Sequence, residues 1–250
     1  MCLILFAYQH HPDFPLIVAA NRDEYYQRPT QAGHFWPESP SLFAGKDLQA
    51  GGTWMGVNEQ GRFAAVTNYR ETQAAPPAAI TRGNLCSHFL LGNENTEDYL
   101  RRIDQQKHRY AGFNLLAGRI DDLYYYSNRQ GEISPLTPGV HGLSNSLLNT
   151  SWPKVDAGKE ALENTLLDTV KPEDILLLLL DQQRAADADL PNTGVDNATE
   201  SMLSSRFIQT DNYGTRSSTV LCVDRNGRVT WLEKSFDNTG ATGKIVTHRF

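Results

Sequence analysis

The chain has 250 residues and a formal net charge of −6 at pH 7. Its length is enough to bury a sizeable core, and a negative charge without a block of Lys or Arg argues against a nucleic-acid surface. No stretch reaches the roughly 20 apolar residues of a membrane span, and the first residues lack the basic segment of a secretory signal. The cysteines, Cys2, Cys86 and Cys222, have no metal-ligand spacing and an odd count, so we expect free thiols in the cytoplasm.

Strand signals open the chain. Apolar residues over 2–8 and 16–20 flank a His-His-Pro-Asp-Phe-Pro turn and predict a hairpin. A polar, proline-bearing loop is expected over 21–40. Strands over 53–57 and 62–68, joined by Asn-Glu-Gln-Gly, predict a second hairpin.

Helical patterns alternate with further strand patterns in the rest of the chain. Residues 71–79, with two prolines, predict a linker. Thr96 is the expected N-cap of the helix predicted over 96–103. Residues 187–200 are polar and predict a loop. Helices are predicted over 81–91, 96–103, 155–169 and 172–183, and strands over 112–117, 123–126, 140–144, 217–223 and 229–236. This order predicts an α+β fold, and without a break in composition we expect one domain over 1–250.

Cys2 directly follows Met1 and raises a mechanistic hypothesis. Removal of Met1 would leave Cys2 with a thiol, whose ordinary pKa is about 8.5, and an α-amine, whose ordinary pKa is about 8. The two groups together form a nucleophile and its own base, as in N-terminal nucleophile hydrolases. The alternative is a buried cysteine in the first strand, because free Cys behaves as a small apolar residue.

The quartet Asn21-Arg22-Asp23-Glu24 follows the second strand pattern. A cation such as Arg22 lowers the pKa of a nearby thiol, and a carboxylate such as Asp23 can hold an α-ammonium group. Antiparallel pairing of the first two strands would bring both residues near the Cys2 end. The alternative is a solvated loop.

Other polar residues stand at strand ends. Asn68 and Asn145 are turn formers or donors to an oxyanion, a contribution of about 3 kcal/mol in measured cases. Arg216, in Gly-Thr-Arg-Ser-Ser-Thr, suits a substrate carboxylate or an exposed turn. Four aromatic residues are candidates for pocket walls, with packing in the core as the alternative: Phe35, Trp36, Trp54 and Tyr69.

Several motifs together resemble the NRDE family, the family of the transport and Golgi organisation protein 2. The resemblance covers the whole chain in order. It implies an N-terminal nucleophile hydrolase fold, a four-layer αββα sandwich of two antiparallel sheets. The motifs are Cys2, Asn-Arg-Asp-Glu at 21–24, Arg28-Pro29, Gly-Gly-Thr-Trp at 51–54, Thr-Asn-Tyr-Arg at 67–70, Gly-Phe-Asn-Leu at 112–115, His-Gly-Leu-Ser-Asn at 141–145 and Gly-Thr-Arg-Ser-Ser-Thr at 214–219.

The run Met-Gly-Val-Asn-Glu-Gln-Gly at 55–61, followed by Thr-Asn-Tyr at 67–69, is similar to the choloylglycine hydrolase and penicillin V acylase group. This similarity implies that Cys2 is the nucleophile. It further implies catalytic roles for an assisting pair, two amides and a late arginine: Arg22, Asp23, Asn68, Asn145 and Arg216. The chain departs from the group in lacking a proline close behind Asn145.

The resemblance implies a cysteine amidohydrolase that acts on a small, non-peptide amide and needs no metal or cofactor. The alternative that it also implies is a non-catalytic carrier of haem, lipid or acyl-CoA, with Cys2, His10, His11 or His34 as haem ligands. Either function needs a small-molecule partner. An interaction protein without a pocket is the third hypothesis, and the oligomeric state stays open.

Overall fold

The structure, a computed structural model, describes residues 3–71 and 79–250. The strands are β1 (Leu3–Tyr8), β2 (Leu16–Tyr25), β3 (Thr30–Trp36), β4 (Ser39–Asp47), β5 (Met55–Asn58), β6 (Arg62–Asn68), β7 (Phe113–Arg119), β8 (Asp122–Ser127), β9 (Ile133–Pro135), β10 (Gly139–Leu143), β11 (Tyr213–Val223), β12 (Val229–Asp237) and β13 (Gly240–Arg249). The helices are α1 (Gly83–Leu91), α2 (Thr96–Gln105), α3 (Pro153–Thr165), α4 (Pro172–Leu178) and α5 (Asn197–Leu203).

The chain divides into two compact units, each built on one antiparallel sheet. The first unit comprises Met1–Gln27, Thr137–Ser144 and Leu148–Phe250, and the second comprises Arg28–Leu136 and Asn145–Leu147. The single domain expected over 1–250 stays a prediction.

The first unit holds a six-stranded sheet in the order β10-β1-β2-β11-β12-β13. Helices α3 and α4 pack on one face, where Leu5, Ile17 and Val220 meet Leu162 and Ile175 in a buried cluster. β1 and β2 are central strands with both faces buried over 3–8 and 16–23. Central strands of this kind read as continuous apolar runs, which is why their first residues were recognisable.

The second unit holds a seven-stranded sheet in the order β3-β4-β5-β6-β7-β8-β9. Helices α1 and α2 cover one face through a buried cluster that includes Leu85, Phe89, Tyr99 and Leu100. Asn95 caps α2 by accepting the N–H of Glu97, so the N-cap expected at Thr96 lies one residue earlier.

The loop expected over 21–40 is wrong. β2 continues through the quartet to Tyr25, and β3 and β4 follow. β2 continues because β11 pairs with it from Leu16 to Tyr25 and supplies hydrogen-bond partners to its polar side chains. Both predicted hairpins are confirmed by the pairing of β1 with β2 and of β5 with β6.

Three further differences concern elements with weak apolar patterns. The loop expected over 187–200 is wrong from Asn197 onwards, where α5 begins, and β9 and β13 had no predicted counterpart. The predicted linker lies largely outside the described residues.

The two antiparallel sheets with their helices confirm the α+β class. Within 3–71 and 79–250, no helix has the length and apolar character needed to cross a membrane.

Candidate functional site

Arg22 and Asp23 pass the amino end of β1. Leu3 pairs with Asn21 in the antiparallel register, so the next two residues of β2 extend beyond the first described residue of β1. Both side chains are buried, each with 5% exposure. The predicted pairing of the two strands is therefore confirmed. Cys2, which precedes Leu3 in the chain, lies outside the described residues.

The Asp23 carboxylate is held by a residue of β11. Thr215 stands opposite Asp23 in the register, and its Oγ1 donates to Asp23 Oδ1 at 2.7 Å. The same Oγ1 accepts the backbone N–H of Ile208 at 3.0 Å. A hydrogen bond to an ionised acceptor is stronger than a neutral one, so this contact orients the carboxylate at the end of β1.

Asn21 has a structural role. Its Nδ2 donates to the carbonyl oxygens of Leu179 at 2.8 Å and Arg206 at 2.7 Å, and its Oδ1 accepts from Ser218 Oγ at 2.6 Å. These bonds satisfy both donors of a fully buried amide, as burial requires. Asn21 therefore anchors β2 to the segment that follows α4.

A bulge in β11 separates two hydroxyl groups. Thr215 pairs with Asp23 and Ser217 pairs with Arg22, so Arg216 has no opposite residue in β2. Directly opposite residues share a face of the sheet, whereas consecutive residues alternate. Thr215 and Ser217 therefore lie on opposite faces, although they are only two residues apart.

Ser217 is a candidate that the sequence interpretation did not single out. It is 5% exposed, and its Oγ makes no hydrogen bond with any residue that the structure describes. It lies directly across from Arg22 and shares its face. The motif around Arg216 was visible in the sequence, but the face on which Ser217 lies depends on the bulge.

The side chain of Arg216 donates to backbone carbonyls of two other segments of the first unit. Its Nη1 donates to the carbonyls of Tyr25 and Tyr26, each at 3.0 Å, and its Nε donates to the carbonyl of Phe236 at 3.3 Å. The guanidinium group is half-buried within β11, so the exposed turn considered for it is wrong. A role in binding a substrate carboxylate stays a prediction.

The structure brings Asn68 and Asn145 together in the second unit. Asn145 is 7% exposed; its Nδ2 donates to the carbonyl of Asn68 at 2.9 Å, and its own carbonyl accepts the N–H of Arg70 at 2.7 Å. Asn145 follows β10 by two residues, and β10 ends at Leu143, which pairs with Ile4 of β1. The catalytic roles implied for both amides stay predictions.

The loop that carries Asn145 is held at both ends. Nε2 of His141 donates to the carbonyl of Thr137 at 2.8 Å, and its Nδ1 accepts from Asn149 Nδ2 at 3.0 Å. Burial lowers the pKa of His141, with the nearby charges of Lys159 and His10 acting in the same direction and the Thr137 carbonyl opposing them. The imidazole is therefore neutral at pH 7 and serves as a hydrogen-bonded support of the loop.

Trp54 and Tyr69 occupy different environments in the second unit. Trp54 is 7% exposed, and a Cβ at Gly45 would overlap its ring. Its indole therefore packs closely against the backbone of β4. Tyr69 is half-buried, and its N–H donates to the carbonyl of Gly112 at 2.9 Å. Contact of either side chain with a substrate stays a prediction.

The two described cysteines are not available as nucleophiles. Cys86 is 0% exposed and Cys222 is 1% exposed. Burial raises the pKa of the Cys222 thiol to about 12 and that of the Cys86 thiol further still. Because the thiolate is the reactive form, both thiols are inert near neutral pH.

Comparison with known proteins places the chain among close relatives. The model of the family described as Transport and Golgi organisation 2 matches residues 1–238. The Transport and Golgi organization 2 homolog of Mus musculus is 36% identical, with 100% of this chain and 99% of the relative covered. The Homo sapiens homolog is 38% identical, with 94% of this chain and 93% of the relative covered. The Drosophila melanogaster protein is 23% identical, with 98% and 95% covered.

Two solved structures of conjugated bile acid hydrolase variants from Clostridium perfringens match with TM-scores of 0.55 and 0.53. Each alignment covers 100% of this chain and 97% of the hydrolase, at 8% identity. Likeness at this identity shows the fold alone. That fold is the N-terminal nucleophile hydrolase type that the sequence resemblance implied.

Proposed function

The chain belongs to the Transport and Golgi organisation 2 family, and we propose that it is an N-terminal cysteine amidohydrolase acting on a small, non-peptide amide. The proposal depends chiefly on one observation. A buried Arg22–Asp23 pair extends past the amino end of β1, where the carboxylate is oriented by Thr215. Removal of Met1 would free the α-amine of Cys2, so that this residue carries both an amine and a thiol.

The proposed reaction begins with proton transfer from the Cys2 thiol to its own α-amine. The thiolate attacks the amide carbon, and a C–S bond forms as the carbonyl becomes an oxyanion. The ammonium group then protonates the leaving nitrogen, the C–N bond breaks, and a thioester remains. Water attacks the thioester, releases the carboxylic acid and regenerates the thiol. The reaction consumes one water and needs no redox partner.

Asp23 and Arg22 have separate roles in this proposal. Removing a carboxylate from water is costly unless donors or cations surround it. Thr215 supplies one donor, and an α-ammonium group is a cation of the type that a buried carboxylate favours. Arg22, on the other face of β2, would lower the pKa of the Cys2 thiol. Asp23 would thus act on the α-amine of Cys2, and Arg22 would act on its thiol.

Three neutral side chains complete the proposal. Asn68 and Asn145 are proposed as the amides that bind the oxyanion and substrate, following the resemblance. We add Ser217 as a hydroxyl donor to the substrate, because it is buried beside Arg22 without a hydrogen-bond partner in the described chain. A substrate carbonyl or carboxylate oxygen would satisfy that hydroxyl.

Thiol labelling and turnover test the proposal. Intact mass is expected to show loss of Met1, and a thiolate-selective reagent should label one thiol per native chain. That label should disappear in Cys2→Ser, whereas denatured wild type should take three labels, one for each of its 3 cysteines. Hydrolysis of a library of small acylated amines is measured by the release of the free amine. This activity should be lost in Cys2→Ala and in Asp23→Asn. Retention of Met1 after normal processing, or unchanged turnover in Cys2→Ala, would contradict the mechanism.

The carrier of haem, lipid or acyl-CoA that the resemblance also implies stays the alternative proposal. Cavities of about 550 and 150 Å³ are present, and the residues that line them include neither His nor Cys. His34, one of the candidate ligands, is half-buried and its Nδ1 contacts the carbonyl of Ala32. Haem titration, monitored at the Soret band, distinguishes the carrier from the hydrolase. A saturable shift that disappears in Cys2→Ala, without amide turnover in wild type, would favour the carrier.

A further inference from the structure

A cavity of about 150 Å³ in the first unit contains an unusual set of charges. It lies between the start of α3, the segment after α4 and the segment after α5. Its charged lining consists of three cations and one carboxylate: Lys154, Arg184, Arg206 and Asp181. The whole chain carries a net charge of −6, so a local excess of positive charge is a specific feature. We call Lys154, Arg184 and Arg206 the cationic triad.

Two members of the triad are held in place by the fold. Lys154 is 5% exposed, and its Nζ donates to the carbonyl of Leu203 at 2.8 Å. The side chain of Arg206 is 11% exposed and forms an ion pair with Asp181 through Nη2. The carbonyl of Arg206 accepts from Asn21, which ties this wall of the cavity to β2. The charges are therefore pre-positioned.

One N–H donor of Arg206 has no acceptor among the residues that the structure describes. Asp181 contacts only Nη2 of the guanidinium, because its other oxygen accepts the N–H of Gln183 at 2.8 Å. The Nε of Arg206 is buried and has no hydrogen-bond partner among residues 3–71 and 79–250. Leaving a buried donor unsatisfied is unfavourable. An oxyanion in the cavity would balance the excess positive charge of the triad.

The size of the cavity limits the ligand. A cavity of about 150 Å³ holds several water molecules, since one water needs about 10–15 Å³ of probe-occupied volume. That is enough for a phosphoryl group but not for a drug-sized molecule, for which pockets span roughly 300–1,000 Å³. Pro153, the first residue of the 13-residue helix α3, also lines the cavity, so the positive end of the helix dipole adds to the field.

We propose that this cavity binds a phosphoryl group, as free phosphate or as a phosphate monoester, through the cationic triad. Of the triad, Arg184 is exposed, Arg206 is half-buried and Lys154 is buried. The group is held by charge and hydrogen bonds, and no covalent bond is made or broken. The proposal is independent of the hydrolase proposal, because it involves neither Cys2 nor the residues around it.

Calorimetric titration of the full chain tests the proposal. The probes are inorganic phosphate, glycerol 3-phosphate and acetate, with sodium chloride matched for ionic strength. Saturable binding of one phosphate or one glycerol phosphate per chain is expected, and acetate should bind at least about tenfold more weakly. Tighter binding of glycerol phosphate than of phosphate identifies a monoester as the ligand, and the reverse order identifies the free ion.

Matched variants separate a specific site from general attraction. Arg184→Gln should weaken phosphate binding about tenfold, which corresponds to about 1.4 kcal/mol. Arg206→Lys keeps the charge, removes Nε and should weaken binding to a similar extent. Arg228→Gln, the same charge change at an exposed arginine outside the cavity, should change the affinity less than twofold. Equal losses in Arg184→Gln and Arg228→Gln, or no saturable binding by wild type, would overturn the site. Thiol labelling should be unchanged in every variant.

Discussion

The hydrogen bond between Thr215 and Asp23 provides a quantitative test of the proposed site. Thr215→Val removes the hydroxyl and nearly preserves the volume of a side chain that is 0% exposed. It removes a bond to a charged acceptor, worth about 1.5–3 kcal/mol, and leaves the N–H of Ile208 without its partner, at about 1–3 kcal/mol. We expect the free energy of unfolding to fall by about 3–5 kcal/mol.

The assay is urea unfolding followed by circular dichroism, with a thermal melt as a second measurement. Each kcal/mol corresponds to about 2–4 °C in a protein of this size, so Thr215→Val should melt about 10 °C lower. Ser217→Ala is the matched control on the same strand. Its buried hydroxyl makes no hydrogen bond within the described part of the chain, so its removal should change the free energy of unfolding by less than about 1 kcal/mol.

The same pair of variants separates stability from chemistry. Ser217→Ala should leave the fold intact and lower turnover, because the hydroxyl is proposed to contact substrate. Thr215→Val should lower both. A change below about 1 kcal/mol in Thr215→Val, or equal losses of stability in the two variants, would refute the assignment of the buried bond. Unchanged turnover in Ser217→Ala would refute the role of Ser217.

Two further predictions concern residues that support the site. Burial lowers the pKa of His141, so the unfolded chain binds a proton at a higher pH than the folded chain does. The stability that neutral His141 contributes is therefore complete above the unfolded pKa of about 6.5. It is lost as the pH falls through the lower folded pKa. Unfolding measured from pH 7.5 to 5 should show this decline, and His141→Gln should flatten it; an unchanged slope would contradict the assignment. A Cβ at Gly214 would overlap the hydroxyl of Tyr26 and the carbonyl of Ile208. Gly214→Ala should therefore lower the free energy of unfolding by about 1–3 kcal/mol, measured in urea. If the variant were as stable as the wild type, this close approach would be absent.

Much of the fold was predictable because its signals are local. Continuous apolar runs predicted β1 and the first half of β2, and helical spacing predicted α1 to α4. Edge strand β13 escaped prediction because it pairs only with β12 and its sequence begins Gly-Ala-Thr-Gly-Lys, without apolar alternation. Its backbone hydrogen bonds define it, and these leave little trace in side-chain pattern.

The family, the fold class and the position of Arg22 and Asp23 beside the start of β1 could be inferred from the amino-acid sequence. Those inferences need only motifs and a short hairpin, whose register follows from neighbouring apolar residues. Tertiary structure alone decided that the quartet is strand and that Thr215 holds Asp23 across a separation of 192 residues. It also decided that Ser217 shares a face with Arg22. A one-residue bulge reverses the face of the residues after it, and the pairing that creates the bulge exists only once β2 and β11 meet.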